Sequence, residues 1–106
     1  MSYQKACEIL TRMTATLGNG KPSRERAAYL HIREEPDMDG CLYVSVYPNE
    51  NGVIPTYDPS FSLESLKVIL QTMEELRSAG MDSRLFPGCF DAAGQAGVEL
   101  WVRYES

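Results

Sequence analysis

From Ser62 to Ala79 the chain reads SLESLKVILQTMEELRSA, with apolar residues at Leu63, Leu66, Ile69, Leu70, Met73 and Leu76. At ~3.6 residues per turn these fall on one stripe roughly 140° wide, opposite Glu64, Lys67, Gln71, Glu74, Glu75 and Ser78. The pattern predicts an amphipathic helix. Ser62 can cap a free backbone N–H at its start, and Gly80 tolerates the left-handed residue that closes a helix. A second helix is predicted over Tyr3–Leu17. There Tyr3, Ala6, Cys7, Leu10, Met13, Thr14 and Leu17 recur at spacings of three and four, with Ser2 able to cap the start. Ile9 lies off that stripe, and Gly18-Asn19-Gly20 stops the helix.

Elsewhere the period changes to two. Ala27–Glu34 sets Ala28, Leu30 and Ile32 against Tyr29, His31 and Arg33. Cys41–Tyr47 sets Leu42, Val44 and Val46 against Cys41, Tyr43, Ser45 and Tyr47. The intervening Glu35-Pro36-Asp37-Met38-Asp39-Gly40 is turn chemistry, so these two strands form an antiparallel hairpin. Ser83–Phe86 and Val98–Tyr104 form a second one. In it Val98, Leu100, Val102 and Tyr104 point inward, and Glu99, Trp101, Arg103 and Glu105 point away. Its connection, Pro87–Gly97, is long and rich in Gly and Ala, and a mobile tip is expected. Past Asn51-Gly52, Val53–Tyr57 adds a short strand at most, which Pro48 and Pro55 would confine to an edge. The expected fold is one α+β domain over residues 1–106, in the order α-β-β-(β)-α-β-β. An antiparallel sheet of four or five strands would carry both helices on one face.

With 106 residues, 43% hydrophobic and 24% charged, the chain can bury a core without staples. No apolar run is long enough to span a membrane, and no apolar signal segment precedes the first helix pattern. Three widely spaced cysteines, Cys7, Cys41 and Cys89, point to reduced thiols and a cytoplasmic location.

Charge is uneven. Residues 1–33 hold six basic groups and two acids, a net of +4; residues 34–106 hold four bases and thirteen acids, a net of −9, completing the total of −5. Between Glu34 and Leu66 there are seven acids and no Lys or Arg. Such a surface either keeps the chain soluble or steers it toward a basic partner, and it opposes direct contact with a nucleic acid backbone.

Catalytic chemistry has little to stand on. His31 is the one histidine, and Cys41 is the thiol that a cross-strand pairing could bring beside it. Asp37-Met38-Asp39-Gly40 opens like a calcium loop, but Cys41 and Leu42 then fall where an oxygen ligand and a glycine are needed. The cysteines and histidine lack zinc spacing. No catalytic, metal-binding or cofactor-binding residues are assigned. The outward aromatics Tyr29, Tyr43, Tyr47 and Trp101 fit a protein partner better than stacked bases, because the chain is acidic. A second copy or residues 48–61 could instead cover them. The candidate partner-binding set is therefore Tyr29, Tyr43, Tyr47 and Trp101, with Glu34, Glu35, Asp37 and Asp39 at the hairpin tip.

In size, charge and lack of a catalytic constellation the chain resembles phage-encoded inhibitors of host defence, such as anti-CRISPR and anti-restriction proteins, and toxin-neutralising immunity proteins. The resemblance implies a stoichiometric inhibitor that blocks a partner's surface. Its order of elements is also similar to that of small acidic secretion chaperones, which implies a homodimeric adaptor, although the pattern ends at a strand. The alternative from another class is a small enzyme or ligand-binding domain using His31 and Cys41.

Overall fold

The computed structural model describes residues 2–18, 28–34, 40–48, 63–90 and 96–105, the side chains of residues 18, 28–31, 47–48, 88–90 and 96 excepted. Its elements follow the order that the apolar periods predict: α1 (Ser2–Gly18), β1 (Ala28–Glu34), β2 (Cys41–Pro48), α2 (Leu63–Ser78), β3 (Asp82–Phe90) and β4 (Ala96–Arg103). The four strands form one antiparallel sheet in the order β1-β2-β4-β3, so each hairpin contributes an inner and an edge strand. The predicted fifth strand, Val53–Tyr57, lies outside the described residues, as does the expected mobile tip at 91–95.

Alternation on the two central strands builds the core. Leu42, Val44 and Val46 of β2 stand opposite Val102, Leu100 and Val98 of β4. All but the half-buried Val98 are fully enclosed beneath the helices. From α1 come Ala6, Ile9, Leu10, Met13 and Leu17, and from α2 come Ile69 and Leu76. Both helices therefore pack on one face. Arg12 of α1 also pairs with Glu75 of α2 across the helix–helix contact. No helix among the described residues is long and apolar enough to cross a membrane.

Three details differ from the sequence pattern. Ile9 is buried and Tyr3 is exposed, because α2 beside α1 widens the enclosed face beyond a single stripe. In α2 the enclosed line is Ser65, Ile69, Thr72 and Leu76, while Leu63, Leu66 and Leu70 are exposed at 65%, 38% and 58%. The helix is turned by roughly a quarter of a rotation from its apolar stripe, toward α1. Thr72 tolerates this burial because its hydroxyl donates to the Val68 carbonyl at 2.8 Å. Finally, β3 and β4 run longer than predicted and pair as far as Phe90 and Ala96, with an irregularity between Pro87 and Cys89. Pro87 is accommodated because β3 is an edge strand, where a missing N–H need not break the ladder.

The end of α2 follows its sequence signal. Gly80 has φ of 83°. The Met81 N–H donates to the Leu76 carbonyl at 2.9 Å, and the Gly80 N–H to the Arg77 carbonyl at 3.0 Å. These paired bonds close the helix, with Leu76 and Met81 buried together over them.

Candidate protein-binding face

The sheet face away from the helices gathers the chain's described outward aromatics. Register puts Tyr43 of β2 across from Trp101 of β4, and Trp101 across from Arg84 of β3. The Tyr43 and Trp101 rings stack, with centroids 5.1 Å apart and planes 18° from parallel. Phe86, two residues along β3 from Arg84, meets Trp101 edge to face at 6.1 Å. On the other side the Arg33 guanidinium donates to the Tyr43 hydroxyl at 3.4 Å. Tyr43 and Trp101 are half-buried, and Phe86 is 47% exposed. Each aromatic pair contributes about 0.5–1.5 kcal/mol beyond its burial, so the three rings hold one another upright.

Charges frame this row. Arg84 lies 3.7 Å from Asp82, both well exposed, and register places Asp82 across from Arg103. A hollow of about 260 Å³ opens beside the rings, its walls including Cys41, Arg84, Phe86, Trp101 and Arg103. Arginine beside tryptophan, tyrosine and phenylalanine is the composition that dominates protein–protein contact energies.

Of the sequence candidates, the structure brings Tyr43 and Trp101 into direct contact. Tyr29 pairs with Tyr47 in the backbone register of β1 and β2, and their side chains lie outside the described residues. Glu35, Asp37 and Asp39 are outside them as well. Glu34 is described, and register sets it across from Leu42, so it belongs to the helix-bearing side. There the hydrogen bond of the Tyr3 phenol with Cys7 holds that phenol above the usual tyrosine range, and the Glu34 charge adds to the rise. Phe86 and Arg84 were not among the sequence candidates, because the four residues Ser83–Phe86 alternate too briefly to show which side is outward; the pairing of Leu85 with the buried Leu100 decides it. Extending the alternation one residue upstream, to Asp82, would have revealed Asp82, Arg84 and Phe86 on one side.

The expected cross-strand neighbourhood of His31 and Cys41 does not form. Ser45 is the residue opposite His31, while Cys41 pairs with Arg103 on the other side of β2. Four strand residues, ~13 Å, separate the two positions along β2. The Cys41 thiol is buried. Among the described residues no three of His, Cys, Asp or Glu gather into a metal-holding group.

No protein family, no curated protein and no solved structure matches the chain.

Proposed function

We propose that this chain is a protein-binding module acting as a stoichiometric inhibitor that blocks a partner's surface, in the manner of phage anti-defence or toxin-immunity proteins. The observation that carries the reading is the Tyr43–Trp101–Phe86 row, partly exposed on the helix-free sheet face and flanked by Arg33 and Arg84. Rings already ordered against one another lose little freedom on binding, which favours a tight complex. The same stacking weighs against single-stranded nucleic acid. Tyr43 and Trp101 spend ring faces on each other that bases would need, and the chain carries a net charge of −5. The acidic residues from Glu34 onward favour a partner with a basic surface.

The test is capture from a host lysate by the wild-type chain and by Phe86→Ala and Trp101→Ala variants. One protein retained at equal stoichiometry by the wild type is expected. Phe86→Ala, at an exposed position, should speed its dissociation tenfold or more, about 1.4 kcal/mol or above, while costing in stability only its one ring contact, about 0.5–1.5 kcal/mol. Trp101→Ala should also speed dissociation and cost more stability than Phe86→Ala, because two ring contacts go with it. The partner's activity should cease at one equivalent of this chain. A partner held equally well by all three proteins would remove the aromatic face from the binding site.

A further inference from the structure

The turn of α2 toward α1 leaves a second surface to be accounted for. Along α2, Leu63, Leu66, Leu70, Met73 and Arg77 recur at spacings of three, four, three and four. That is the narrow seam by which one helix packs on another. It lies roughly a third of a turn from the buried line of Ser65, Ile69, Thr72 and Leu76. The helix therefore exposes three leucines while burying two hydroxyl residues. Beside the seam a groove of about 810 Å³ runs between α2 and β3. Leu70, Met73 and Met81 supply its apolar surface, and Glu74, Arg77, Asp82 and Arg84 its charged edge.

From this we infer that the chain forms a two-fold symmetric dimer in which α2 of each copy packs antiparallel along α2 of the other, over this groove. Charge selects both the occupant and its direction. Lys67 and Glu74 are exposed, flank the seam on the same side two turns apart, and have no ion-pair partner among the described residues. An antiparallel second copy sets each Lys67 against the other copy's Glu74, twice over. A parallel copy would turn both toward the seam's other flank, where Ile69 and Leu76 offer no opposite charge. A groove edged by two acids and two bases is self-complementary in the same sense, as a two-fold contact requires. The rings of Tyr43, Phe86 and Trp101 do not line the groove, so the dimer presents two aromatic rows, each bordered by the Asp82 and Arg84 that edge the contact.

The experiment is light scattering and sedimentation over a concentration series. Wild type is expected at twice the 11.9 kDa chain mass. Leu70→Glu, at a position 58% exposed, should be monomeric with an unchanged circular dichroism spectrum. Lys67→Glu and Glu74→Lys should each weaken association roughly tenfold, by replacing two attractive pairs with two repulsive ones. The Lys67→Glu/Glu74→Lys double variant should recover wild-type affinity, which an antiparallel pairing alone allows. A wild type that stays monomeric at every concentration overturns the dimer. So does a dimer that survives Leu70→Glu, since another surface would then make it. Failure of the double variant to recover removes the antiparallel arrangement. A Leu70→Cys variant that is monomeric yet protected from a thiol reagent would mean that this chain's own residues cover the seam.

Discussion

At Gly40 one backbone conformation joins the two central strands at one end of the sheet. Its φ is 83°, a region that costs an L-residue about 1–2 kcal/mol. Its carbonyl accepts the N–H of Tyr104 at 2.8 Å and that of Glu105 at 3.3 Å, tying the end of β4 to the start of β2. A Cβ placed there would sit 2.8 Å from the Glu105 Cβ, closer than two such atoms approach. Strain and collision act together, so Gly40→Ala should destabilise the fold by about 2 kcal/mol or more. Equilibrium urea unfolding measures this, and a loss below ~0.5 kcal/mol would show that neither effect is felt. Gly80 shares the conformation but has open space around the added methyl, so Gly80→Ala should lose the strain component alone.

Among the elements, α2 separates what its pattern carries from what packing decides. Its end follows from Gly80, its start at Leu63 falls where the sequence signal predicts it, and its apolar side comes from leucine spacing, because all are local properties. Rotation is not local. An apolar arc of ~140° can present either flank to a sheet, and the choice falls to the neighbour that competes for it. Here α1 claims the flank holding Val68 and Thr72, fixed further by Arg12 with Glu75, and the Leu66–Leu70 flank turns outward. Strand pairing was legible for a similar reason: turn chemistry between 35 and 40 fixes the hairpin, and period two fixes the faces. How the hairpins join was not legible, since nothing in a strand's alternation names β2 and β4 as neighbours. The Tyr43–Trp101 stack depends on that joining. The rotation has a direct measure. Ile69→Ala, at 1% exposure, should cost ~2–5 kcal/mol, whereas Leu70→Ala should cost less than ~1 kcal/mol in dilute solution. Equal losses would mean that α2 packs on its leucine stripe after all. If two copies meet along that stripe, the Leu70→Ala deficit should grow with protein concentration, because association stabilises only the wild type.

Across the whole molecule, exchanging the two helix-plus-hairpin halves maps the order β1-β2-β4-β3 onto itself, so the architecture is two-fold although the sequence is not repeated. Charge does not follow that symmetry: residues 1–33 carry a net of +4 and residues 34–106 a net of −9, a division that falls inside the first hairpin. One end of the sheet holds the close of β1, the starts of β2 and β3 and the close of β4, which brings Glu34, Asp82 and Glu105 to that end. Glu35, Asp37 and Asp39 follow Glu34 in sequence. Exposed charges act over ~8–10 Å at physiological salt, so this end can speed an encounter yet holds little of a formed complex together. The aromatic row governs the lifetime. The two contributions should therefore separate in kinetics on the captured partner. Glu35→Lys with Asp37→Lys changes the net charge from −5 to −1, two units for each substitution. Association should slow several-fold and lose most of its dependence on salt, while dissociation and melting temperature stay near wild type. Phe86→Ala should do the reverse, leaving association alone and shortening the complex's life. An association rate equal to wild type at every salt concentration would mean that the acidic end serves solubility, and that the aromatic face finds its partner unaided.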